Sequence, residues 1–188
     1  MRVALASLAL VALGPVPAGA AGGSLHVQAG VGLVAFPRAA DVDPGAAWGV
    51  GVEIEPWRAI ELEAGYQGAA FTAKAEDPSA RTAAIQNGGY GLVKLAPFAG
   101  GGVEPYLLGG FGLAHVNAVD EGIEGGAIED DMISKVPLGL GVDMEFETFS
   151  VGIRGTWDLV FGNHFAFQPG TARGADQLFA TLHLGAFL

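Results

Sequence analysis

The sequence contains no cysteine, few basic residues and, beyond its first twenty positions, no long apolar run. Without cysteine the chain forms neither a disulfide framework nor a thiolate metal site. A membrane-spanning helix needs about 18 consecutive apolar residues, so none is expected after residue 20. Only 9 Lys and Arg stand against 20 Asp and Glu, a formal net charge of −11. Because such a chain repels phosphate backbones, we expect no nucleic-acid partner.

The first twenty residues have the pattern of a secretory leader. Arg2 precedes an apolar stretch over 3–13, and small residues close the segment at 18–20. We therefore assign residues 1–20 to a signal peptide and residues 21–188 to one exported domain of ordinary size.

The composition of the chain is apolar and rich in glycine. Hydrophobic residues make up 51% of the sequence, charged residues only 15%, and there are 31 glycines. This is too apolar for a disordered protein and poor in charge for a soluble one. An exported apolar chain without a spanning helix crosses a bilayer mainly as a closed β-barrel, because closure satisfies every backbone hydrogen bond.

Eight segments alternate apolar residues with small or polar ones at a period of two, which predicts β-strands. In 60–68, for example, Leu62 and Tyr66 share one face while Glu61 and Glu63 share the other. The eight segments are 24–36, 48–55, 60–68, 85–96, 106–116, 137–145, 149–159 and 177–188.

The connections between these segments alternate in length, and the prolines lie in them or at segment ends. Short turns at one end and long loops at the other are typical of outer-membrane barrels. The sequence therefore predicts an all-β fold, an eight-stranded antiparallel up-and-down transmembrane β-barrel. The short links are 56–58, 97–104 and 146–148, and the long ones are 37–45, 71–82, 117–133 and 160–176.

The direction of the apolar face distinguishes a membrane barrel from a soluble carrier barrel. The polar face is mostly glycine and small residues, which suits the narrow interior of eight strands. Aromatic residues of the apolar face lie near segment ends, as interfacial girdles require. They are Trp48, Tyr66 and Trp157 toward the long loops and Phe149 and, with its phase open, Tyr106 toward the short turns. We therefore place the apolar face outside.

Strand phase is ambiguous in 85–96 and 106–116, because glycine falls on both faces there. The preferred phase keeps the large hydrophobic side chains outside. In this phase, the outward side chains are those of Val93, Leu95, Leu107, Phe111 and Leu113.

The whole pattern resembles the small eight-stranded outer-membrane β-barrel family of the outer membrane protein A and X type. The resemblance covers the chain after the leader. It implies a monomer surrounded by the lipids of a Gram-negative-type outer membrane. Members typically end on an aromatic residue, whereas here Phe187 is penultimate and Leu188, in the outward phase, is last.

Charged residues of the inward face gather toward the short-turn end. A buried carboxylate is costly unless paired, so we expect Lys94 beside Glu61 and Glu63, and Arg154 beside Asp143. Salt bridges that plug the barrel are the favoured interpretation, because side chains just fill eight strands, and an ion gate in a narrow pore is the alternative. The inward charges are Glu53, Glu55, Glu61, Glu63, Lys94, Asp143, Glu145 and Arg154.

Two histidines, His26 and His183, also point inward near that end, on strands that become neighbours when the barrel closes. Glu53 or Glu55 beside them would make a metal site conceivable. No recognised ligand spacing is present, so we favour histidines satisfied by those carboxylates and predict neither metal nor cofactor.

The last two long loops are candidates for contact with a surface partner. Loop 117–133 has six acidic residues and no basic one, and it lacks the spacing of a calcium loop. A solvated loop held open by repulsion is favoured over divalent-cation binding. Loop 160–176 presents an aromatic tip with Phe161, Phe165, Phe167 and His164, suited to a partner or a headgroup layer, and folding over the barrel mouth is the alternative. The acidic residues are Asp120, Glu121, Glu124, Glu129, Asp130 and Asp131.

Catalytic signals are weak. No serine lies in a G-x-S-x-G motif, and Ser150, Asp158 and His164 are too far apart along the seventh segment and its loop to share a site. We therefore expect no enzyme, but an outer-membrane barrel with a plugged polar interior and a structural or surface-interaction role through its loops. A narrow pore, a lipid-modifying enzyme and a soluble carrier barrel remain alternatives.

Overall fold

The chain folds into a closed barrel of eight antiparallel strands, as the sequence predicts. The computed structural model describes residues 25–57, 59–74, 81–98, 102–118, 131–161 and 176–188, so the predicted leader lies outside it. Each strand pairs with the next, and β8 pairs with β1. Within these ranges no helix is long and apolar enough to cross a membrane. The strands are β1 (Leu25–Ala35), β2 (Gly45–Trp57), β3 (Ile60–Lys74), β4 (Arg81–Leu95), β5 (Val103–Ala118), β6 (Asp131–Glu145), β7 (Phe149–Phe161) and β8 (Gln177–Phe187).

Several strands extend further than the alternation predicts. β3 and β4 stay paired as far as Lys74 and Arg81, so residues expected in a long loop continue the ladder and keep their backbone groups bonded. Pro137, expected at a strand end, lies inside β6. The pairing of β6 with β5 is interrupted where this proline, which has no N–H, faces its neighbour.

The outer surface of the barrel is apolar around its circumference. Val31 on β1, Leu140 on β6 and Ile153 on β7 are 61–65% exposed. The phase chosen for the fourth and fifth segments is confirmed, since all five side chains directed outward there are exposed. The outward position given to Tyr106 among the aromatic residues is wrong. Tyr106 is 3% exposed and points inward, because its neighbour Leu107 takes the outward position.

The long-loop half of the interior contains a layer of hydrophobic side chains that was not predicted. The layer is formed where odd-numbered strands end and even-numbered strands begin, as Phe71 on β3 and Ile133 on β6 illustrate. Phe36 and Phe71 pack with their ring centroids 4.6 Å apart. The members of this apolar layer are Val34, Phe36, Ala47, Ala69, Phe71, Ala73, Ala84, Ala114, Val116, Ile133 and Phe179. The inward charges that the sequence predicts therefore lie in the short-turn half, beside a smaller hydrophobic cluster formed by Leu92, Ala96, Tyr106 and Leu108.

Candidate functional site in the barrel interior

A fully buried lysine lies at the centre of the charged residues in the short-turn half. Lys94 Nζ donates to Glu53, and it lies 3.4, 3.6 and 3.7 Å from carboxylate oxygens of Glu61, Glu63 and Asp143. These carboxylates come from β2, β3 and β6, so one ammonium group ties strands on several sides of the barrel. Together with Arg154 they form what we call the charge cluster. A lysine without them would carry an uncompensated buried charge.

Arg154 crosses the lumen to the opposite wall. Its Nη1 and Nη2 donate to the two oxygens of Glu63 at 2.9 and 2.7 Å, and its Nε donates to the Tyr106 hydroxyl at 3.2 Å. Tyr90 also donates to Glu63, at 2.7 Å. The predicted pairing of Arg154 with Asp143 is therefore wrong. The long guanidinium side chain reaches β3, four strands away, instead of the adjacent β6.

Both predicted interior histidines are buried beside acceptors. His26 Nδ1 lies 3.8 Å from Glu53, and its ring stacks on Phe187 with centroids 4.6 Å apart. His183 Nε2 lies 2.7 Å from Asp143, rather than beside Glu53 or Glu55 as expected, because β8 brings it level with the end of β6. Among the described residues no group of three or more side chains is arranged to hold a metal ion.

In space, Ser150, His26 and Glu53 follow one another like the nucleophile, the base and the orienting acid of a catalytic triad. Ser150 Oγ lies 2.9 Å from His26 Nε2, an arrangement invisible in the sequence because the two residues are 124 positions apart. The serine is only 1% exposed, and the 3.8 Å from His26 to Glu53 is too long for a hydrogen bond. Asp158, considered with Ser150 from the sequence, lies at the other end of β7 and pairs with Lys135 at 2.9 Å.

A cavity of about 60 Å³ lies between the charge cluster and the apolar layer. Gln28, Asp158 and His183 contribute polar atoms to its wall, and Phe179 of the apolar layer lines it as well. Both amide atoms of Gln28, Oδ1 of Asp158 and Nδ1 of His183 are buried without a protein partner. We call this cavity the polar chamber.

The predicted loop residues fall largely outside the described ranges. This holds for Asp120, Glu121, Glu124, Glu129 and Asp130, whereas Asp131 begins β6. Of the aromatic tip, Phe161 ends β7 and is 54% exposed, and Phe165, Phe167 and His164 lie outside the described residues.

Comparison with known proteins identifies the fold through structure alone. No protein-family model matches the chain, and no curated protein matches it in sequence. Neisserial surface protein A is similar in structure, with a TM-score of 0.56, 14% identity, and coverage of 88% of this chain and 98% of that one. The N-terminal β-barrel domain of Pseudomonas aeruginosa OprF gives a TM-score of 0.52, 12% identity, and coverage of 88% and 97%.

A third similar structure is Ail, the attachment invasion locus protein of Yersinia pestis, solved in complex with the heparin analogue sucrose octasulfate. It gives a TM-score of 0.51 and 11% identity, with coverage of 88% of this chain and 96% of that one. These likenesses define an eight-stranded barrel fold. Together with the apolar outer surface, this fold is that of a membrane-spanning β-barrel of the outer-membrane type. A soluble carrier barrel, with its apolar face inside, is therefore contradicted.

Proposed function

We propose that this protein is a sealed outer-membrane barrel that supports its external loops, rather than a channel. The main observation in support of a sealed barrel is the double hydrogen bond of Arg154 with Glu63, which joins opposite walls through the middle of the lumen. The buried ammonium of Lys94, with four carboxylates around it, fills the same level of the barrel. Eight strands leave an interior that side chains just fill, so this packed network, with the apolar layer stacked on it, favours a plug over a pore.

A test of the seal uses purified protein in planar lipid bilayers. We expect no discrete conductance steps from barrels whose folding is verified by a heat-dependent shift in gel mobility. Steps that appear in the wild type, and whose size changes in Lys94→Gln or Arg154→Gln, would establish the narrow pore instead.

The loops are the proposed contact surface with partners outside the cell. Segment 117–133 has six acidic residues and no basic one, so electrostatics favours a basic partner or a bridging divalent cation. Ail was solved with a sulfated heparin analogue, which is a polyanion. Because the acidic segment repels polyanions, we expect this chain not to share that kind of ligand through 117–133.

External presentation of the acidic segment is tested by placing an epitope tag within residues 119–130. Antibody added to intact cells is expected to label the tag, and a tag placed in the short link 146–148 should stay unlabelled until the outer membrane is permeabilised. Labelling of 146–148 alone in intact cells would reverse the orientation.

A catalytic role is not part of the proposal. The hydroxyl of Ser150 is buried against His26, and Glu53 is bound by Lys94, so this serine is not an accessible nucleophile. The lipid A acylation pattern of a deletion strain is therefore expected to equal that of the wild type. A pattern lost on deletion, and not restored by Ser150→Ala, would support the lipid-modifying enzyme.

A further inference from the structure

We propose that the permeability barrier of this barrel is the apolar layer of the long-loop half, and that the polar chamber beneath it is hydrated. This inference rests on the proposed function, a sealed barrel, and assigns the seal to one half of the interior. It separates the charge cluster, which joins the walls, from the layer that excludes water and ions.

Polar groups in the wall of the polar chamber indicate that the chamber contains water. Gln28, His183 and Asp158 are 5%, 5% and 2% exposed, and each has at least one polar atom without a protein partner. Buried polar groups of this kind are normally satisfied by ordered water. The 60 Å³ of the chamber exceeds the roughly 10–15 Å³ that one water needs, so the chamber has room for ordered water.

The apolar layer makes a smaller demand for water. Among the described residues at its level, the hydroxyl of Thr82, which is 1% exposed and faces Ala73 across the strand pair, is the buried polar group without a protein partner. Val34, Val116 and Ile133 are fully buried, and Phe71 is 4% exposed. Hydrophobic constrictions exclude ions by staying dry, because an ion would lose its hydration shell there without replacement. Phe179 belongs to the layer and also lines the chamber, so the change from wet to dry falls at its ring.

A polar pair crosses this layer, and its amides are turned toward each other. Gln86 on β4 donates to Gln177 on β8 at 3.1 Å, and Gln177 donates back at 2.6 Å. Both side chains are 0% exposed and come from opposite walls. The pair therefore closes the lumen at this level while its amide oxygens are already occupied by protein donors.

The charge cluster has the opposite character. Its groups are polar, and the side chain of Glu61 keeps 13% of its surface and that of Arg154 11% exposed. Lys94 has four carboxylates within reach, so loss of one partner leaves others to hold it. Removing a single cluster charge should consequently loosen the network without opening a path, as long as the layer above it stays dry.

The test compares potassium efflux from vesicles containing the full-length protein in four forms. These are the wild type, the double variant Phe71→Ala/Phe179→Ala, the cluster variant Arg154→Ala, and Phe161→Ala as a matched control. Phe161 lies at the same end of the barrel but points outward. Each form is first checked for a heat-dependent shift in gel mobility, which reports a folded barrel.

We expect the double variant to raise the efflux rate at least about tenfold, equivalent to a barrier lower by about 1.4 kcal/mol. Phe161→Ala should release potassium at the wild-type rate. Arg154→Ala breaks the cross-lumen pair but leaves the apolar layer intact, so it should release potassium more slowly than the double variant. Should the double variant not fold, Ile133→Thr, which adds one hydroxyl to the layer, takes its place with the expectation of faster efflux than in the control.

Two outcomes would overturn the inference, and they are distinguishable. Faster efflux in Arg154→Ala, with the layer variants at the wild-type rate, would move the barrier to the charge cluster and leave the sealed wild type intact. Rapid efflux through the wild type itself would contradict the proposed function, and with it the existence of any seal.

Discussion

Arg154 on β7 and Glu63 on β3 join opposite walls of the barrel through two hydrogen bonds of 2.9 and 2.7 Å. Such a bidentate pair fixes both distance and orientation between the walls. It therefore constrains the whole circle of strands, although the two residues lie 91 positions apart in the chain.

Breaking this pair from one side should be more damaging than removing it entirely. Arg154→Met leaves Glu63, whose side chain is 0% exposed, as a poorly compensated buried charge and is expected to cost about 3 kcal/mol. The double variant Arg154→Met/Glu63→Gln should recover part of that loss. Urea unfolding in lipid vesicles, followed through the fluorescence of the three tryptophans, measures both. A double variant no more stable than the single one would contradict this assignment.

The Gln86–Gln177 pair provides a second and uncharged test of cross-lumen contacts. Gln86→Leu leaves the Gln177 amide buried without its partner, which should cost about 1–3 kcal/mol of unfolding free energy. Gln86→Leu/Gln177→Leu removes both amides and is expected to lie near the wild type. Equal losses in the two variants, measured by the same urea titration, would show that the amides do not depend on each other.

Two glycines of β7 should respond differently to alanine. A Cβ on Gly152 would fall on the Asp143 oxygen and His183 nitrogen that lie 2.7 Å apart, so Gly152→Ala should cost about 1–3 kcal/mol. Gly155 has no atom within 4 Å of such a Cβ, and Gly155→Ala is the matched control expected to unfold like the wild type. Equal stability of both variants would mean that the inward face at Gly152 is not packed as described.

The sequence predicts the strands and their faces well, because the direction of a side chain is a local property with a period of two. It does not predict partners across the lumen, which depend on how neighbouring strands are staggered. Asp143 and Arg154 are near neighbours on paired strands, so the sequence assigns them to each other, yet Arg154 reaches Glu63 and Asp143 binds His183. The contact of His26 with Ser150 was missed for the same reason.

The apolar layer was missed because its residues were assigned to loops or to the ends of strands. Phe71 falls in a segment predicted as a long loop, and Val34 and Phe36 follow a run of inward glycines. An inward hydrophobic run that continues past the glycines is the signal that would have found it. Neither residue type nor spacing shows that these side chains meet around one axis.

The cost of placing a charge on the outer surface should depend on how deep the residue lies in the membrane. Leu140 lies in the middle of the apolar face of β6 and is 62% exposed, so Leu140→Arg should cost about 2–4 kcal/mol of unfolding free energy. Val103, at the short-turn end of β5, is 51% exposed, and Val103→Arg should cost about 0–1 kcal/mol. Urea titrations in lipid vesicles compare the two, and equal costs would contradict a belt centred on Leu140.

The central claim, that lipid covers the apolar face and protein fills the other, is tested most directly by single-cysteine labelling. The chain has no cysteine of its own, so each introduced thiol is unique. Ile153→Cys and Leu182→Cys are exposed on the outer face, and Thr156→Cys and Thr181→Cys line the polar chamber. We expect bimane on the outer pair to be quenched by brominated acyl chains, and the inner thiols to stay unlabelled in the folded barrel. Quenching by the lipid chains at the inner positions, and none at the outer ones, would show that the two faces are reversed.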